Sequence, residues 1–393
     1  MGFQPFSTPY DWSRVAHYKR VARNSQGGLI DLSVGSPVDP VPDSVRKALA
    51  VASDDANANG YPATVGTDDL QLALHDWFRD VRGADLDAIG ASVVPTVGSK
   101  EAVALMASLL GLGDGDVVVQ PRVSYPTYEI GTQLAGATVL KVDDVADVAS
   151  WKDVPGVRAI WVNSPNNPTG DVYSAARLKA IVDAARAIDA VVLSDECYAM
   201  MTWTKANRDA VARAAVDGGE GRAIRPSACA LQPDACSGSA DHVLVLYSLS
   251  KQSNMAGYRT ACIAGDKAII GPMTAVRKQI GEIVPGPVQA AMAAGLRDGV
   301  AVETQFARYS ARLLELVGAL RAHGYAVDMP QGALYVWVKA KSGDCWTDME
   351  ALAQLGIVPS PGEFYGAPDY LRFSVTATDD AIGQAALRLS TWE

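Results

Sequence analysis

Tyr247-Ser248-Leu249-Ser250-Lys251-Gln252-Ser253-Asn254-Met255-Ala256-Gly257-Tyr258-Arg259 is the stretch on which this chain turns. It follows the apolar run Val243-Leu244-Val245-Leu246, so it leaves the end of a β-strand. One lysine sits among small hydroxyl residues, and an arginine follows eight positions later. A lysine amine adds to a carbonyl only when it is neutral, which requires a site that lowers its pKa by desolvation or by nearby positive charge. Arginine presents a planar fork that matches phosphate geometry. Together they suit an aldehyde cofactor that carries a phosphate, held as a Schiff base at the lysine and clamped at its anionic end.

Outward from this stretch, short β-rich runs alternate with helical ones. Strands are expected at residues 91–97, 116–120, 137–142, 157–163, 190–194, 243–247 and 260–264, and helices near 99–110, 127–134 and 174–188. Strands separated by helices imply a mostly parallel, seven-stranded sheet covered on both faces, an α/β fold. Such sheets bind ligands beyond the carboxyl ends of their strands. Pro285-Gly286-Pro287 then punctuates the chain. A long helical region is expected over 288–323, strands over 325–328, 334–338 and 370–375, and a last helix near 378–389. This gives a large domain over 46–285 and a smaller α+β domain from 1–45 and 286–393. Residues 205–240, rich in Ala, Gly and Asp, read as a surface insertion.

Composition sets the outer bounds. The 393 residues are too many for one ordinary core. A net charge of −10 disfavours nucleic acid as a partner, since phosphate backbones demand a positive surface. No apolar stretch reaches the length of a membrane span, and the N-terminus lacks the charged and apolar regions of a secretory signal. Five scattered cysteines read as free thiols in a reducing cytoplasm, although Cys229 and Cys236 share a loop and are near enough in sequence to pair. Neither the cysteines nor the four dispersed histidines suggest a metal site.

Other motifs fall at strand ends. Ser164-Pro165-Asn166-Asn167-Pro168-Thr169-Gly170 fixes a tight turn from which an amide side chain projects. Ser194-Asp195-Glu196-Cys197-Tyr198 sends a carboxylate and a phenol from one strand end. Gly98-Ser99-Lys100-Glu101-Ala102 lies between a strand and a helix, where backbone N–H groups face an anion. Gly111-Leu112-Gly113-Asp114-Gly115 is glycine-rich, but it joins a helix to a strand, the reverse of a dinucleotide fingerprint.

The ordered set Asn-Asn-Pro-Thr-Gly, Asp-Glu-Cys-Tyr and Ser-Leu-Ser-Lys with a trailing Arg resembles the class I/II aminotransferases of PLP fold type I, over nearly the whole chain. The resemblance implies an aspartate aminotransferase-like fold, a homodimer with shared active sites, and pyridoxal 5'-phosphate as the cofactor. It implies that Lys251 bonds to the cofactor aldehyde and later moves the substrate Cα proton. Asp195 would pair with the pyridinium nitrogen, and Tyr198 and Asn167 with the ring oxygen. Gly98, Ser99, Lys100, Ser248 and Arg259 would hold the phosphate, and Tyr125 would stack on the ring. Tyr61, in Gly60-Tyr61-Pro62, would reach the neighbouring subunit's phosphate. Arg372, with Gly35 and Asn167, would bind the substrate α-carboxylate.

Several flanks, including Asp31 to Pro40 and Gln252 to Tyr258, are similar to actinobacterial N-succinyldiaminopimelate aminotransferases. That implies exchange between glutamate/2-oxoglutarate and N-succinyl-2-amino-6-oxopimelate in lysine and diaminopimelate synthesis. A substrate with several carboxylates calls for further cations, for which Arg277, Lys278 and Lys100 are the candidates. The alternatives are another amino-acid aminotransferase (aspartate, alanine or aromatic) and a carbon–sulfur lyase on the same scaffold. A regulator built on this body would need a basic helix-turn-helix segment, which the chain lacks.

Overall fold

A computed structural model describes residue 6, residues 10–55 and residues 58–391; the reading of the extreme N-terminus, residues 1–5, lies outside these. In chain order the strands are β1 (Ile30–Asp31), β2 (Ala91–Val97), β3 (Val117–Pro121), β4 (Thr138–Val142), β5 (Val157–Asn163), β6 (Val191–Asp195), β7 (Val243–Ser248), β8 (Thr260–Asp266), β9 (Tyr335–Lys339), β10 (Ile357–Val358), β11 (Ser360–Pro361) and β12 (Tyr370–Ser374). Seven of them form one sheet in the order β2-β8-β7-β6-β5-β3-β4. Only β8 runs against its neighbours. All six residues of β7 and all seven of β8 are buried, as expected where helices cover both faces.

This topology positions the site. β5, β6 and β7 are adjacent and parallel, so their carboxyl ends, Asn163, Asp195 and Ser248, form a row. Because β8 is antiparallel, its first residue lies at that same edge. Val97 pairs with Thr260, which sets Gly98 beside Arg259. Arg259 adopts a left-handed backbone, φ +56°, uncommon for a residue with a Cβ. A second sheet, β11-β12-β9, is antiparallel, and β1 pairs in parallel with β10. In the three-stranded sheet Arg372 lies opposite Trp337.

Three expectations are corrected. The helical region over 288–323 is two helices, Gly286–Arg297 and Gly299–Ala322. Asp298 leaves the helical conformation between them and caps the second, accepting from the N–H of Ala301 at 3.0 Å. Residues 325–328 form no strand and, among the described residues, pair with none. Residues 205–240 are not a loose excursion. They begin with a helix, Lys205–Asp217, capped by Thr204. Ser227 and Cys229 to Leu231 are then buried. The cause is a buried ion pair, Arg82 to Glu196 at 2.5 Å, which draws this backbone inward. Arg82 donates to the carbonyl of Ser227, and the N–H of Ala230 donates to Glu196, both at 2.8 Å. All five cysteines are free and buried, so Cys229 and Cys236 do not pair. Among the described residues no helix is long and apolar enough to cross a membrane.

Candidate active site

At the row of strand ends lies a cavity of about 250 Å³, closed from the other side by β9, β12 and the segment near Gly35. Lys251, Asp195, Tyr198, Asn167, Ser99, Lys100, Tyr125, Ser248, Arg259, Gly35 and Arg372 all line it. Gly98 does not, but it borders the cavity through Arg259. A Cβ at Gly98 would collide with the Arg259 guanidinium, and φ there is +80°, so only glycine fits. Tyr61 points elsewhere: it is 102% exposed and lines no part of the cavity.

Asp195 is 6% exposed, and among the described residues no lysine or arginine pairs with it. Burial raises its pKa, against hydrogen bonds that favour the carboxylate. Tyr128 O–H donates to Oδ2 at 2.7 Å, and the N–H of Cys197 donates to Oδ1 at 3.2 Å. Lys251 Nζ donates to the carbonyl of Gly35. Desolvation lowers the pKa of this amine; the neighbouring Tyr335 opposes the shift and Arg372 adds to it. At the end lined by Ser248 and Arg259, Ser248 Oγ accepts from the N–H of Ser250 at 3.1 Å, and Arg259 Nη1 donates to the carbonyl of Ala256 at 2.6 Å.

Arg372 is 4% exposed and held on three sides. Nη1 donates to Asn167 Oδ1 at 2.9 Å, and Nη2 donates to the carbonyl of Ser33 at 2.8 Å. Its guanidinium lies 4.0 Å from the ring centre of Tyr335 and 4.6 Å from that of Tyr365. Its Nε, buried, has no partner. Since Asn167 Oδ1 is spent on Arg372, only Nδ2 of that amide remains to donate into the cavity.

Tyr128, Tyr335, Tyr365, Tyr10 and Trp12 are site residues that the motifs alone do not pick out. Tyr335 is central: its hydroxyl is 2.8 Å from that of Tyr198. A Cβ at Gly35 would overlap Tyr335, which ties three elements to one phenol. Burial raises the pKa of both phenols. For Tyr198 it prevails, whereas for Tyr335 the positive charges of Lys251 and Arg372 outweigh it and the pKa falls below its usual value. Tyr128 was within reach of the sequence, in the same Ser124-Tyr125-Pro126-Thr127-Tyr128 run as Tyr125. The candidate cations fare unevenly. Lys100 lines the cavity, with Nζ 5.9 Å from the ring centre of Tyr10. Lys278 is on an exposed helix face. Arg277 does not reach the cavity, because Glu101 captures its buried fork at 2.7 and 3.1 Å in a half-buried pair.

Residues 28–389 match the family model described as aminotransferase class I and II. The chain belongs to that family. It is 40% identical, over 97% of its length and 98% of the relative's, to the 4-dedimethylamino-4-oxo-anhydrotetracycline transaminase OxyQ of Streptomyces rimosus. It is 26% identical, over 98% and 96%, to an LL-diaminopimelate aminotransferase of Oleidesulfovibrio alaskensis. Among solved structures, a probable N-succinyldiaminopimelate aminotransferase from Thermus thermophilus matches with a TM-score of 0.81 at 24% identity, covering 96% of this chain and 99% of that one. The fold is aspartate aminotransferase-like, and the protein is a transaminase.

Proposed function

We propose that the cavity holds pyridoxal 5'-phosphate at Lys251, and that the enzyme exchanges the amino group between glutamate/2-oxoglutarate and N-succinyl-2-amino-6-oxopimelate. The observation that carries the cofactor reading is Asp195, a buried carboxylate that lines the same cavity as Lys251 and, among the described residues, has no cation of its own. A protonated pyridine nitrogen is the partner it lacks. The glycine-only contact between Gly98 and Arg259 supplies the cradle for the anionic end, together with Ser99 and Ser248. When bound, the cofactor supplies an electron sink for charge that develops at the substrate Cα.

The chain's own groups do the rest. Arg372 binds the α-carboxylate through its fork, with its fixed contacts to Asn167 and Ser33 setting the plane. Tyr198 O–H and Asn167 Nδ2 would serve as donors to the cofactor, and Tyr125 would pack against it. Lys251, with its lowered pKa, would take the Cα proton at Nζ as general base and then donate it from Nζ as general acid. Tyr61 serves the partner subunit of a homodimer. The two domains divide at 46–285, a split supported by the separate sheets on either side of it.

The diaminopimelate-type acceptor is supported by the resemblance of the flanks and by the names of the LL-diaminopimelate and Thermus proteins. Lys100 is the cation left for a distal carboxylate. A second reading, an aromatic oxo acceptor, is favoured by the aromatic lining of Tyr10, Trp12 and Tyr365 and by the name of the Streptomyces relative. A half-reaction screen of amino donors, followed by absorbance, tests both. Conversion by glutamate and N-succinyl-LL-diaminopimelate, with none by aromatic amines, is expected; the reverse pattern selects the second reading.

A further inference from the structure

We propose that this chain has a second small-molecule site, apart from the catalytic cavity, for a carboxylate with an apolar or aromatic body. A cavity of about 730 Å³ opens where the start of the helix Lys205–Asp217 and the returning backbone at 225–228 meet residues 329–331. Trp203, Tyr173 and Met329 give it apolar walls. Arg208 and Arg225 line it, and no aspartate or glutamate does. The cavity is therefore greasy and singly signed, the complement of an apolar anion. Arg208 also donates to the carbonyl of Trp203, which ties its guanidinium to the backbone at the cavity wall.

A second observation is independent of the charges. Ser227 lines the same cavity and is 4% exposed, yet among the described residues its hydroxyl has no hydrogen-bond partner. Buried hydroxyls are nearly always paired, so this one has donor capacity to spare for a ligand oxygen. The site shares no lining residue with the catalytic cavity. It is nonetheless joined to it by backbone. Trp203 Nε1 donates to the carbonyl of Ala333 at 2.6 Å, two residues before Tyr335. Gly332 N–H donates to Gly170 at 2.8 Å, three residues after Asn167. A ligand here rests on the two chain segments that carry Tyr335 and Asn167.

The probe is 4-phenylbutyrate, titrated calorimetrically into holoenzyme whose catalytic cavity has been filled with aminooxyacetate, as checked by loss of turnover. One site per chain is expected, with the uncharged 4-phenylbutyramide weaker by about tenfold or more. Arg208→Ala/Arg225→Ala should weaken the acid by about tenfold or more while turnover of the untreated enzyme stays unchanged. Arg225→Ala alone, at an exposed position, should give a smaller loss in the same direction and decides the matter if the double variant folds poorly. The proposal fails if the blocked holoenzyme shows no saturable binding. It also fails if acid and amide bind alike, or if the arginine variants bind the acid as well as the parent does.

Discussion

The role proposed for Lys251 requires a neutral amine, and its surroundings favour that form. Desolvation holds its pKa below the usual 10.5. The rate at which cofactor-free protein captures pyridoxal phosphate should rise with pH and level off below 10.5, as read from the growth of the visible band. The sign for stability follows from the same shift. Between the lowered pKa and 10.5 the unfolded chain binds a proton that the folded chain does not, so folded stability rises with pH across that window. Lys251→Met should flatten that rise in thermal melts of the cofactor-free protein; an undiminished slope would assign it to other groups. Tyr335 invites a different measurement. Tyr335→Phe keeps the ring against Arg372 and removes only the hydroxyl shared with Tyr198. It should lower kcat about tenfold and leave the KM for the amino donor within about twofold. A rise in KM without a fall in kcat would instead make Tyr335 a carboxylate-site residue.

At the scale of elements, the helix Ser99–Leu109 shows how a distant side chain prepares an anion site. Glu101 lies in its first turn, beside the residues proposed to cradle the phosphate, and accepts from the N–H of Val97 at 3.2 Å. An uncompensated carboxylate there would repel the phosphate. Arg277, fully buried, neutralises it with both fork nitrogens. Arg277→Met should cost about 1–3 kcal/mol of stability, because it leaves a half-buried carboxylate without its partner, and should weaken cofactor binding. Glu101→Gln/Arg277→Met should regain most of both losses, measured by thermal melts and by equilibrium release of the cofactor. If the double variant binds cofactor no better than Arg277→Met, charge compensation is not the role of Arg277. The elements themselves were largely legible. β2 and β5 match their sequence runs residue for residue, because β-branched stretches bounded by Gly, Asn and Pro leave little choice of register. Residues 205–240 were not legible. Their burial depends on Arg82 and Glu196, separated by 114 positions, and no local pattern announces such a pair. Arg277 misled for the same reason: a cation reads as free to meet a substrate carboxylate until its own partner, here Glu101, is known. Tyr335 was hidden too, since an aromatic alternating with valines in a strand reads as core whichever cavity its hydroxyl meets.

At the scale of the molecule, the residue of the family pattern that finds no place in its own chain's site is Tyr61. Every other residue carried over from the motifs lines the cavity or borders it, whereas Tyr61 is fully exposed. A large aromatic held entirely in solvent gains nothing for its own subunit. Val51 and Val65, from the chain on either side of it, are also exposed apolar residues, so the surface around it resembles an uncovered interface. A dimer that covers this surface would carry Tyr61 to the partner's phosphate. Particle mass should then be near twice the 41.3 kDa of one chain. Mass alone leaves the tyrosine unassigned, but mixed subunits assign it. Tyr61→Ala keeps Lys251, and Lys251→Ala keeps Tyr61. If the tyrosine acts across the interface, one site in each mixed dimer combines the intact lysine of one chain with the intact tyrosine of the other. Co-refolding the two weak or inactive variants should therefore restore turnover, to at most about a quarter of the parent level with random pairing. If the tyrosine acts within its own chain, no mixed site holds both residues, and the mixture stays as inactive as its parts.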